Sequence, residues 1–107
     1  MSRCVETLEE VEWRNPKVGE RALKLAREMV KREDWVEPDR SEWFLDGKGE
    51  IVLHWDELEG DGFVVFVDRY EYDVWWDGKN GTETMEEVLT EYGRYREKCH
   101  EARQRKG

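Results

Sequence analysis

Apolar residues recur at every third or fourth position in two stretches of the chain, which is the spacing of an amphipathic helix. The first stretch is "NPKVGERALKLAREMVKRED", where Asn15 is a favourable N-cap and Pro16 takes the first helical position. The second opens at "TETMEEVLTEYGRYREKCHEARQRKG", where Thr84 and Glu87 have the spacing of a capping box. Apolar residues three apart within residues 5–11 predict one additional helical turn near the start.

Between the two helical stretches, β-branched and aromatic residues gather in four short segments separated by turn residues. These segments are "SEWFLD", "GKGEIVLHWDE", "GDGFVVFVD" and "RYEYDVWWDGKNG". "LDGKG" and "DGKNG" are typical of tight turns, because glycine accepts positive φ angles. "VDRYEY" has no glycine, so the chain there either makes a tight polar turn near Asp68–Arg69 or continues as one long bent strand. The sequence predicts one domain, residues 1–107, of the α+β class: an N-terminal helix, a three- to four-stranded antiparallel β-meander and a C-terminal helix.

The two adjacent tryptophans of "EYDVWWDGKNG" face opposite sides of the sheet if they lie in a strand, because neighbouring side chains alternate. Trp76 shares its face with Val74 and is predicted to join the core. Trp75 falls on the opposite face, among carboxylates. The residues predicted to form a partner-binding set on this second face are Trp75, Glu71, Asp73 and Asp77 from this strand, and His54 and Asp56 from the second strand.

Two arrangements of the helices give Trp75 different roles. If one helix covers each face of the sheet, Trp75 is a core residue, and the doubly apolar "FVVFV" strand has the same explanation. If both helices pack on one face, Trp75 belongs to an open apolar patch, which usually marks a site for a partner or for self-association. We favour the second arrangement, since Glu71, Asp73 and Asp77 would be poorly placed under a helix.

The negative charge is concentrated in the middle of the chain. The whole sequence carries 27 acidic and 18 basic residues, a net charge of −9, and residues 33–91 contain nineteen acidic residues against four basic ones. Such a region repels nucleic acid and attracts basic surfaces. We therefore expect a basic protein partner, with nucleic-acid-binding proteins as one class of such partners, and no direct binding to nucleic acid. The basic residues of the last helix are interpreted as charges that suit its dipole.

No apolar run approaches the length of a membrane span or of a signal-peptide core, so we expect no membrane partner and a cytoplasmic location. In that reducing compartment Cys4 and Cys99 are expected to be free thiols. The chain has no C-x-x-C, H-x-x-x-H or G-x-S-x-G motif and no phosphate-binding glycine loop. Cys99 and His100 are neighbours that diverge by about 100° on a helix. We therefore expect no catalytic residue, no metal site and no cofactor.

The segment "EDWVEPDRSEWFLDGKGEIVLHWD" resembles a loose group of small, uncharacterised bacterial and phage-type proteins. In that group a helix leads into W-x-x-P and then into a strand of the form DG-x-G-x-I-x-L-x-W. The resemblance covers about residues 22–56 and consists mostly of turn and core residues. It implies an architecture, and it carries over no catalytic residue.

Two functional classes fit these patterns. The favoured hypothesis is a small acidic, non-enzymatic protein-binding module that inhibits a basic, nucleic-acid-binding protein, as antitoxins, immunity proteins and phage-encoded anti-defence proteins of the anti-CRISPR type do. The alternative is a small hydrolase-like enzyme or enzyme subunit that uses His54 with nearby carboxylates. A homodimer joined through the Trp75 face is a variant of the first class.

Overall fold

The computed structural model describes residues 2–10, 12–13, 15–43, 51–58, 62–68 and 70–106, with side chains at all of these except 41–43, 79 and 106. Within these ranges the helices are α1 (Arg3–Glu10), α2 (Pro16–Val30) and α3 (Met85–Lys106). The strands are β1 (Arg40–Trp43), β2 (Ile51–Trp55), β3 (Phe63–Val67), β4 (Tyr72–Trp76) and β5 (Lys79–Glu83). They form one antiparallel sheet in the order β1-β2-β3-β4-β5. The predicted α+β class is confirmed, and the meander has one strand, β5, beyond the four segments predicted.

Local hydrogen bonds explain where α2 and α3 begin. The side chain of Asn15 accepts from the backbone N–H of Lys17 at 3.2 Å, directly before Pro16 at the start of α2. Thr84 and Glu87 form the predicted capping box: each side chain accepts from the other residue's backbone N–H, at 3.1 and 3.2 Å. These contacts satisfy N–H groups that the helices leave without intrahelical partners.

The first helix, α1, is longer than the single turn predicted for this part of the chain. The backbone N–H groups of Arg3 and Cys4 both donate to the carboxylate of Glu37, each at 3.0 Å. A carboxylate at this position satisfies two free donors and complements the positive end of the helix dipole. Cys4 and Leu8 are buried in the core, so this contact from a distant segment fixes α1 against the rest of the fold.

Two tight turns set the geometry of β4. Between β3 and β4, the Asp68 carboxylate accepts from the backbone N–H groups of Tyr70 and Glu71 at 2.7 and 2.8 Å, so the chain makes the tight polar turn rather than one bent strand. Between β4 and β5, Asp77 and Gly78 have φ angles of 53° and 72°, as a two-residue type I′ hairpin requires. The predicted turn "LDGKG", residues 45–49, lies outside the described residues.

One face of the sheet, the inner face, shares a single hydrophobic core with the helices. Helix α2 packs against β2 and β3, α3 packs against β3, β4 and β5, and α1 packs on α2. The Tyr72 hydroxyl donates to the carbonyl of Arg21 on α2 at 3.0 Å, and Trp76 Nε1 donates to the Glu91 carboxylate on α3 at 2.6 Å. None of the described helices has the length and apolarity needed to cross a membrane.

Candidate functional site

The opposite face, the outer face, is organised by strand register into two rows that cross the sheet. One row contains Val52, Phe66, Asp73 and Thr82, and the other contains Arg40, His54, Val64, Trp75 and Asn80. Each of these residues alternates in its strand with residues at inner-face positions. The outer face therefore has an apolar centre on β3 and polar or charged residues toward both edges.

Trp75 lies on the outer face and is 46 % exposed, whereas its neighbour Trp76 lies on the inner face and is 6 % exposed. The Trp75 ring packs edge-on against Phe66, with 5.7 Å between ring centroids, and its Nε1 donates to the Asp73 carboxylate at 3.2 Å. These contacts hold the ring in one orientation and leave nearly half of it accessible. Both helices that contact the sheet lie on the inner face, so no described helix covers the outer face.

The carboxylates predicted beside Trp75 divide into two kinds. Asp73 accepts the indole hydrogen bond from Trp75, and the exposed Glu71 accepts from the Thr82 hydroxyl at 3.3 Å. Among the described residues neither carboxylate forms an ion pair. Asp77, by contrast, lies in the β4–β5 turn and forms an ion pair with Lys98 of α3 at 3.2 Å. Strand alternation does not extend to this turn residue, so it does not assign Asp77 to the Trp75 face.

His54 and Asp56 lie at the other end of the outer face, in a network with Arg40. Arg40 Nη2 is 2.8 Å from His54 Nδ1 and 3.2 Å from Asp56 Oδ2, while His54 Nε2 is 2.7 Å from Asp56 Oδ1. A guanidinium can only donate, so Nδ1 accepts and Nε2 carries the proton that it donates to Asp56. A Cβ added at Gly62 would lie 2.7 Å from His54 Nε2. A side chain at position 62 would therefore require the histidine ring to move.

Both ring nitrogens of His54 are therefore engaged within the protein. A general base needs a nitrogen that can take up a proton, and in this structure the accepting nitrogen, Nδ1, faces Arg40. The sequence did not indicate Arg40, because its approach to His54 depends on the β1–β2 register, in which Arg40 is the direct partner of His54.

The basic residues of α3 are largely neutralised by acids of the same chain. Arg96 and Arg103 both bind the Glu57 carboxylate, and Arg94 pairs with Glu91 at 3.0 Å. Burial raises the pKa of Glu57, but the hydrogen bond and charge of Arg96, with the charge of Arg103, outweigh it and the pKa is lowered. Among the described residues of α3, Arg94, Arg96 and Arg103 therefore each have an acidic partner in the same chain.

The two cysteines are free and buried. Burial, reinforced by the charge of Glu37, raises the pKa of Cys4 to about 12, and burial also raises the pKa of Cys99. The thiolate is the reactive form of cysteine, so neither side chain is an activated nucleophile. In the part of the chain that the structure describes, no three histidine, cysteine or acidic side chains converge in a way that could hold a metal ion.

The chain matches no protein-family model, no curated protein and no solved structure. The outer face, with its exposed tryptophan and with the carboxylates of Glu71 and Asp73, is the feature from which we infer a function.

Proposed function

We propose that the chain is a non-enzymatic binding module that engages a basic surface of a partner protein through Trp75, Asp73 and Glu71. The observation that carries the proposal is a large aromatic ring, 46 % exposed and packed edge-on against Phe66, on a sheet face that no described helix covers. Exposed aromatic residues of this kind are the usual anchors of protein interfaces, since their burial on binding removes a large apolar area from water.

The distribution of paired and unpaired charges supports a basic partner. Asp56 and Asp77 have cations of the same chain within 3.2 Å, whereas Glu71 and Asp73 have none among the described residues. Glu71 is exposed and Asp73 is half-buried, so lysine or arginine side chains of a partner can approach both carboxylates from the outer face. The net charge of −9 adds long-range attraction, which raises the rate of encounter with a basic surface.

A basic surface on a protein is most often a nucleic-acid-binding surface, and an acidic protein that covers it competes with the nucleic acid. We therefore propose an inhibitory role, with antitoxins, immunity proteins and phage-encoded anti-defence proteins of the anti-CRISPR type as the candidate kinds. A homodimer through the same face is disfavoured, because it would bring the Glu71 and Asp73 carboxylates of both copies together. An enzymatic role for His54 is disfavoured by the engagement of both its ring nitrogens.

The test is capture from an extract of the organism that encodes the chain, with wild type, Trp75→Ser and Tyr70→Ser immobilised in parallel. Tyr70 is 72 % exposed and serves as the matched control for loss of an exposed aromatic ring. We expect wild type and Tyr70→Ser to retain the same basic protein at about 50 mM salt, and to release it at about 500 mM, where screening is stronger. Trp75→Ser should not retain it. Equal retention by Trp75→Ser, or retention unaffected by salt, would contradict the proposal.

A further inference from the structure

The β5 strand is the last strand of the described sheet and pairs with β4, which carries Trp75. The direction of its backbone groups can be derived from the hairpin. Trp76 and Lys79 flank the two-residue turn, so they form a hydrogen-bonded pair. Hydrogen-bonded and non-hydrogen-bonded pairs then alternate along the ladder, which makes Trp75 and Asn80 a non-hydrogen-bonded pair. By the same alternation, the backbone N–H and C=O groups of Asn80 and Thr82 point away from β4, toward the open edge.

This edge is accessible. Asn80, Gly81 and Thr82 are all exposed, and a Cβ added at Gly81 would meet no atom within 4 Å. Within the described residues no further strand follows β5 in the sheet. The edge therefore presents two outward N–H groups and two outward C=O groups, which is the arrangement that an added antiparallel strand needs.

The outer-face positions of β5 link this edge to the proposed binding site. Asn80 is directly opposite Trp75, and Thr82 is directly opposite Asp73. A strand added beside β5 would lie two strand spacings from β4, roughly 10 Å away. A lysine or arginine side chain on that strand can extend across the small Asn80 and Thr82 side chains and reach the Trp75 ring and the Asp73 carboxylate.

We propose that the partner contributes an extended segment with alternating basic side chains, which pairs with β5 as an additional strand and places a lysine or arginine over Trp75. This inference rests on the proposed function and specifies its mode of binding. Backbone hydrogen bonds to Asn80 and Thr82 supply the docking, while the cation–π contact with Trp75 and the charge of Asp73 select basic side chains.

The test uses a displayed library of nine-residue peptides with lysine or arginine fixed at alternate positions, selected against the wild-type chain. The best peptide is then synthesised, and its Kd is measured by fluorescence anisotropy against variants at position 82. Thr82→Pro removes an outward-pointing N–H without removing a bond to β4, which is where proline is tolerated in a sheet. Thr82→Val keeps the N–H and is the matched control, because both variants lose the hydroxyl contact with Glu71.

We expect Thr82→Pro to weaken peptide binding by about tenfold or more and Thr82→Val by less than about threefold, since a strand-pairing bond is lost only in the first. Hydrogen exchange at the Asn80 and Thr82 amides should slow when the peptide binds. Circular dichroism establishes that each variant is folded. If Thr82→Pro does not fold, the same comparison is made with Asn80→Pro and its matched control Asn80→Val.

Three results would overturn strand addition. The first is a library that yields no binder, and the second is a peptide whose Kd is the same for Thr82→Pro and wild type. The third is a peptide-free chain that sediments as a dimer and becomes monomeric on Thr82→Pro, since the edge would then pair with a second copy. If Trp75→Ala abolishes binding and Thr82→Pro leaves it unchanged, strand pairing is refuted. The Trp75 face then remains the proposed partner site.

Discussion

Truncating the two adjacent tryptophans should have unequal effects on stability, although both changes remove the same side chain from one strand. A fully enclosed tryptophan buries roughly 200 Å², and burial contributes about 25 cal/mol per Å². Trp75 is 46 % exposed, so Trp75→Ala loses just over half of this contribution, about 3 kcal/mol, which is an upper bound because unfolded chains also bury apolar surface. Its edge-on contact with Phe66 is part of that figure.

Trp76→Ala should cost about 5 kcal/mol, because nearly all of the side chain is buried and its removal leaves a cavity. The Trp76 ring is 6 % exposed and packs against Phe63 and Tyr95, and its indole N–H donates to Glu91 at 2.6 Å. The free energy of unfolding of a domain of this kind is about 5–15 kcal/mol, so this single substitution removes a large part of it.

The measurement is urea unfolding followed by far-ultraviolet circular dichroism, which does not depend on tryptophan fluorescence. We expect the free energy of unfolding of Trp75→Ala to exceed that of Trp76→Ala by about 2 kcal/mol. Equal losses would mean that Trp75 is enclosed to the same extent as Trp76, and the open outer face would be refuted.

Three further outcomes follow from the packing and charge of the fold. Gly19→Ala should destabilise by about 1–3 kcal/mol in thermal unfolding, despite alanine's better helix propensity, because its Cβ would lie 2.2 Å from the Trp13 ring. Wild type should lose stability as pH falls below the ordinary pKa of Glu57, 4.5, because the folded-state pKa is lower and the folded state binds fewer protons. Glu57→Gln should remove part of that pH dependence in acid titrations followed by circular dichroism, and Arg96 should then be left as an unpaired buried cation. Cys4 should resist alkylation in the native protein at mildly alkaline pH and react in urea, where burial no longer raises its pKa.

The sequence predicted α2, α3 and the four main strands, because the helices have a clear period and local start signals and the strands are separated by turn residues. It missed β5, because "KNGTE" has no apolar alternation and consists mostly of residues with weak strand preference. This segment becomes a strand because the Asp77–Gly78 hairpin returns it along β4, whose edge is otherwise unpaired. It also missed most of α1, whose first N–H groups depend on Glu37, more than thirty residues away.

For the candidate site, strand alternation was sufficient to separate Trp75 from Trp76. It could not show which carboxylates remain available to a partner, because that depends on contacts between distant segments. Lys98 of α3 forms an ion pair with Asp77 of the β4–β5 turn, and Arg40 of β1 forms one with Asp56, which follows β2. Charge in a sequence is additive, whereas charge on a surface depends on which groups the fold has already paired.

The most direct measurement is the Kd of the captured basic partner for wild type, Trp75→Ala and Tyr70→Ser by isothermal titration calorimetry at about 50 mM and about 500 mM salt. We expect Trp75→Ala to weaken binding about 30-fold or more, the effect of losing an interface anchor, and Tyr70→Ser to leave it nearly unchanged. Binding by wild type should also weaken steeply at the higher salt concentration. A Kd that is the same for Trp75→Ala and wild type, at either salt concentration, would contradict the assignment of the outer face as the binding site.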